Sequence, residues 1–121
     1  MPLSPRAPRL WRCLFWPCVL AVLVLSLIPP EPYVPTTGWD KSNHMLGFAV
    51  LMLTGWRAYP AWPGRVWLGL LAFGGLIEIL QSFTGYRSAE WLDLLADAVG
   101  LALGFGAGLA VARMWPAERR A

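Results

Sequence analysis

The side chains in this sequence that could do chemistry are His44, Glu78, Gln81, Arg87, Asp93 and Asp97, with Asp40 and Lys41 just ahead of the histidine. They stand among apolar residues. Carboxylates, an imidazole and a guanidinium are costly in hydrocarbon unless they are paired or reach water. His44 with Glu78 or Asp93 could act as a general acid and base, so these three are the catalytic candidates. Alternatively, Lys41, His44 and Arg87 as donors, with Asp40, Glu78, Gln81, Asp93 and Asp97 as acceptors, could bind a polar ligand. His and carboxylates could also hold a divalent cation. With a single His in the chain a zinc site is not expected, and no metal or cofactor is assigned. Ser42 and Ser88 lie beside the cluster in capping positions, so no activated nucleophile stands out.

The plainer reading of the same residues is a polar clasp: Arg87 paired with a carboxylate, Gln81 and His44 bridging helices, Asp40 capping. Interhelical hydrogen bonds in membranes contribute only about 0.6 kcal/mol on average, less than burying such groups costs. A clasp needs fewer charges than this. Proton or ion movement is a further reading, opposed by the lack of a polar relay through the other half of the chain. Recognition of a polar ligand therefore ranks first, catalysis second and transport third.

The elements that must position these groups are membrane helices. At 57 % hydrophobic and 14 % charged, with eight Trp and a positive mean hydropathy, the chain lacks the polar residues to cover a soluble fold of its size. The expected architecture is an all-α membrane protein, four transmembrane helices in a compact bundle with both termini cytoplasmic. Residues 1–12 read as a cytoplasmic N-terminal arm, 13–115 as the four-helix transmembrane domain, and 116–121 as a cytoplasmic tail. The helices are expected at about 10–28, 40–59, 65–83 and 89–115. A cleaved signal peptide is the rival for the first run, but Ile28-Pro29-Pro30-Glu31 lacks the small-x-small pattern of a cleavage site.

Orientation follows from Lys and Arg in the short loops. Arg6, Arg9, Arg12, Arg57, Arg65, Arg113, Arg119 and Arg120 fall on one side, and Lys41 and Arg87 on the other. This puts both termini in the cytoplasm and gathers the polar residues at the outer end. Residues three or four apart share a helix face. One face of helix 2 carries Asp40 and His44, one of helix 3 carries Glu78 and Gln81, and one of helix 4 carries Asp93 and Asp97 followed by Gly100, Gly104 and Gly108. Small residues at that spacing let helix backbones approach closely. The glycine strip should thus face the bundle and turn both aspartates inward, so that the polar groups line a cavity open to the outside. The same strip could equally pack against a second copy, giving a homo-oligomer.

Other chemistries are excluded. The Arg residues are dispersed at segment ends and suit anionic lipid, so membrane lipids are expected partners and nucleic acid is not. Cys13 and Cys18 have no neighbouring Cys or His to complete a metal site and read as small hydrophobes. The Gly104 to Gly108 run has no preceding strand and no phosphate-binding lysine, so it is helix packing and not a nucleotide loop.

Three motifs together carry a family resemblance: D-K-x-x-H at Asp40 to His44, E-x-x-Q at Glu78 to Gln81, and R-x5-D-x3-D-x2-G-x3-G from Arg87 to Gly104. Over roughly residues 28–108 the chain resembles the VanZ-like family of small bacterial membrane proteins. Where that family often carries Asn, this chain has Asp97, an added carboxylate. The resemblance implies a multi-pass protein of the inner (cytoplasmic) membrane, and the family's namesake is associated with resistance to the glycopeptide teicoplanin. The donors and acceptors of the polar residues suit a polar headgroup such as that of a lipid-linked cell-envelope precursor, and the resemblance adds a glycopeptide as a candidate ligand.

Overall fold

The structure is a computed structural model that describes residues 6–29, 40–87 and 89–114. Four helices follow one another, α1 (Arg6–Leu27), α2 (Asp40–Ala58), α3 (Pro63–Ser82) and α4 (Trp91–Met114), and no strand occurs among the described residues. The expected loop after Ile28 and the tail from 116 lie largely or wholly outside them.

Local sequence explains where each helix begins and ends. α1 starts at Arg6, within the stretch expected as an extra-helical arm. Pro8 does not prevent this, because the first-turn N–H groups lack helical partners and a proline there removes nothing. Pro17 sits inside α1, a position tolerated where neighbouring helices support the backbone. α3 begins with a proline in its first turn after Trp62. The chain leaves α3 through Thr84, whose N–H and hydroxyl both reach the Gln81 carbonyl at 3.1 and 2.8 Å. Gly85, at φ +79°, makes the reversal in the left-handed region that other residues avoid.

Among the described residues three helices, not the four expected, are long and apolar enough to cross a membrane: α1 from Pro8, α3 and α4. α2 fails on composition, because its 19 residues include Asp40, Lys41, Ser42, Asn43, His44 and Arg57. Most of its large apolar residues serve the interior. Phe48, Leu51, Met52 and Ala58 are all buried, and with Phe15, Leu70, Ile77 and Leu101 they form the core. Most of the exposed apolar area lies on the other helices, where Leu10, Leu20, Leu68, Ile79, Leu95 and Leu103 are exposed, with Leu46 and Val50 as the outward apolar residues of α2. Apolar exposure on that scale suits a lipid environment and not a soluble surface.

α2 and α4 run parallel and in unusually close contact. A Cβ added at Gly100 would run into the Met45 backbone, one at Gly104 into the Ala49 backbone, and one at Gly108 would lie 2.8 Å from the Trp56 ring. The glycine strip is therefore covered by α2 of the same chain. Gly55 does the same service for α1, since a Cβ there would meet the Phe15 ring at 2.8 Å. These contacts hold α2 between α1 and α4 and fix the register of the polar residues at its N-terminal end.

Candidate functional site

The N-terminal ends of α2 and α4 meet the C-terminal end of α3, and there the polar residues converge. On α4, Asp93 and Asp97 are one turn apart, 3 % and 0 % exposed. Because Met45 lies against Gly100, the preceding His44 comes level with Asp97. His44 Nδ1 lies 2.7 Å from Asp97 Oδ1, and His44 Nε2 lies 3.8 Å from Asp93 Oδ2. A carboxylate at hydrogen-bond distance from one imidazole nitrogen is the arrangement that orients a histidine ring, with the tautomer deciding which group donates. Asp97 itself has room only because residue 74 is glycine: a Cβ there would lie 2.6 Å from Asp97 Oδ2.

One turn before His44, the Lys41 ammonium pairs with Asp93 and, at 2.7 Å, with Glu90 Oε2. Glu90 is the most exposed member and marks the rim of the cluster, while the Asp93 side chain is 5 % exposed. Glu78 approaches from α3. Its Oε2 accepts the Glu90 backbone N–H at 3.0 Å, whereas its Oε1 is buried without a hydrogen-bond partner among the described residues. Buried carboxylate oxygens in that condition are rare and costly. Gln81, one turn on, shows the same feature at its Oε1.

Gln81 and Arg87 also have a second task. Gln81 Nε2 donates to the Ser26 carbonyl at 2.9 Å, Tyr86 Oη to the Leu27 carbonyl at 2.5 Å, and Arg87 Nε and Nη2 to the Ile28 and Leu25 carbonyls at 3.0 and 3.3 Å. Together they satisfy the otherwise unpaired carbonyls at the C-terminus of α1, where a cation is also favoured by the helix dipole. Among the described residues Arg87 thus serves α1 and pairs with no carboxylate. The Asp40 side chain lies outside the described residues. Glu90, absent from the candidate set drawn from the sequence, belongs to the cluster through both its side chain and its N–H; its spacing of one turn from Asp93 and two from Asp97 was the signal for it.

The opposite end of the bundle is aromatic and basic. Arg12 lies 4.6 Å from the Tyr59 ring centroid, Arg57 5.4 Å from that of Trp11, and Arg65 4.1 Å from that of Trp62. Beside them is a cavity of about 420 Å³ lined by residues such as Phe15, Trp16, Tyr59 and Phe73. It contains none of the carboxylates.

A helical membrane protein with one end closed by apolar and aromatic packing and the other by buried carboxylates around a histidine is the class that fold and site define. The family model described as VanZ/LLP1 matches residues 14–112, and the chain belongs to that family. No curated protein and no solved structure matches the chain.

Proposed function

We propose that the chain is a multi-pass protein of the inner membrane whose polar end faces outward and binds the polar part of a cell-envelope ligand, such as a lipid-linked precursor. The observation that carries this reading is Glu78: a carboxylate 8 % exposed, held through one oxygen and unsatisfied at the other. A residue selected only to clasp helices would be fully bonded or replaced by an apolar one. Gln81 Oε1 beside it offers a second acceptor, and the rim pair Lys41–Glu90 gives the ligand its approach.

Outward placement rests on the distribution of Arg and Lys, with the cation–aromatic pairs at the other end matching a cytoplasmic interface. At 1.5 Å per residue α2 is about 28 Å long, so it crosses within the shelter of its neighbours and returns the chain to the side it came from. Both termini then lie in the cytoplasm. The VanZ resemblance connects such a role with teicoplanin-type glycopeptide resistance. A second reading, an intramembrane acid–base enzyme acting on the same ligand, is favoured by the His44–Asp97 pair, in which a carboxylate stands beside an imidazole as general acid–base chemistry uses them.

Mass spectrometry of lipids that accompany the purified full chain tests the binding reading. Enrichment of one envelope lipid class with the wild type, lost in Glu78→Gln, is the expected result. Identical lipid profiles for both, matching the bulk membrane, would remove the proposal.

A further inference from the structure

The geometry points to a divalent metal site formed by His44, Glu78 and Asp97, which shares Glu78 with the ligand contacts proposed above and is testable without any lipid. One imidazole nitrogen and one oxygen from each carboxylate lie within 4.8 Å of one another, on three different helices. Metal–ligand distances of about 2.0–2.2 Å require these donors to draw together slightly, a change within reach of side-chain rotation.

Three features beyond proximity mark this as a cation site. The first is Glu78 Oε1, buried and unbonded among the described residues, while its partner Oε2 is fixed by the Glu90 N–H. That is how a ligand carboxylate is oriented by an outer hydrogen bond with one oxygen left for the metal. The second is charge. Among the described residues the Lys41 ammonium pairs with Glu90 and Asp93, while the guanidinium of Arg87 is directed at α1 carbonyls. Residues 30–39, which join α1 to α2, contain Glu31 and no Lys or Arg. A divalent ion shared by Glu78 and Asp97 suits a place where two carboxylates are buried together, since buried carboxylates must be neutralised or must coordinate. The third is room: Gly74 lacks the Cβ that would crowd the Asp97 carboxylate.

The donor set selects the ion class. Two carboxylates with one neutral imidazole suit Mn2+ or Zn2+ better than Mg2+ or Ca2+, which prefer oxygen alone, and better than copper, which is drawn to softer or nitrogen-rich sites. Asp93 stands next to the site, 3.8 Å from His44 Nε2, and Lys41 keeps it neutralised as part of the outer shell.

The test uses the full chain in detergent, stripped with a chelator, in a Cys13→Ser, Cys18→Ser background that removes thiol binding. It is incubated with Mn2+ or Zn2+, desalted and analysed for metal, and its thermal midpoint is followed through the titration. The expected result is about one ion per chain, a midpoint that rises with metal as binding to the folded state requires, and affinity more than tenfold weaker in Glu78→Gln and His44→Ala. Glu78→Gln is nearly isosteric, so it decides the matter even if His44→Ala does not fold. A wild type that retains no Mn2+ or Zn2+, or that binds no better than Glu78→Gln, overturns the site. A wild type that binds metal but shows no lipid enrichment over the bulk membrane would instead remove only the headgroup reading.

Discussion

Gly100 couples the packing of the bundle to the geometry of its polar end, so Gly100→Ala probes both. A Cβ at this position would lie 2.9 Å from the Met45 Cα and 3.0 Å from its carbonyl carbon, and closer still to its oxygen. These are backbone atoms, which cannot rotate away. Ordinary contact distances are restored only if α2 and α4 part locally by at least about 0.5 Å, and close-packed interiors resist such shifts. Overpacking of this kind costs on the order of 1–3 kcal/mol. Replacing a helical glycine returns up to about 1 kcal/mol through lower unfolded-chain entropy, leaving a net loss of roughly 1–2 kcal/mol. His44 immediately precedes Met45, so the same displacement stretches the 2.7 Å contact between His44 and Asp97. Gly106→Ala is the matched control, because a Cβ there meets nothing within 4 Å. Denaturant titration in mixed micelles, followed by helicity, should place Gly100→Ala below wild type and Gly106→Ala level with it or slightly above. Equal stability of the two alanine variants would refute the close α2–α4 contact.

Three further outcomes follow from individual contacts. Gly74→Ala sets a methyl 2.6 Å from Asp97 Oδ2 and should lower stability by about 1–3 kcal/mol, measured in the same titration, with the loss relieved in Gly74→Ala, Asp97→Ala. Arg87→Ala removes two hydrogen bonds to α1 carbonyls and should cost roughly 1–2 kcal/mol while metal affinity stays within about twofold of wild type. A cysteine placed at Thr84 in the chain lacking Cys13 and Cys18 should react with an impermeant reagent added outside intact cells; reaction only after the cytoplasmic side is opened would reverse the proposed topology.

Much of the bundle was legible in the sequence because membrane helices are written in long apolar runs and small-residue spacing. Gly100, Gly104 and Gly108 announced a close helix contact, and from it the inward direction of Asp93 and Asp97 followed. α2 misled for a physical reason: hydrophobicity reports that a segment leaves water, not whether lipid or protein receives it. Phe48, Leu51 and Met52 are covered by protein, so the helix can carry a polar first turn that a lipid-exposed span could not. The early start of α1 was hidden by Pro8, which reads as a breaker although a first-turn proline breaks nothing. Arg87 and Gln81 could not be placed from spacing, since their contacts with the end of α1 depend on the turn at Gly85 and join residues far apart in the chain. The pairing of His44 with Asp97, where spacing offered Glu78 or Asp93, depends on the α2–α4 register that no single helix encodes.

The central claim is that the polar end is kept for binding and not for holding the fold together, and Glu78→Gln tests it most directly when stability and lipid retention are measured on the same preparation. Glutamine can still accept the Glu90 N–H through its carbonyl while removing a buried charge. A binding residue held at a cost to the fold predicts a variant at least as stable as wild type that has lost its enriched lipid. A variant that is clearly destabilised yet keeps the same lipid would contradict the claim and leave the cluster as a structural clasp.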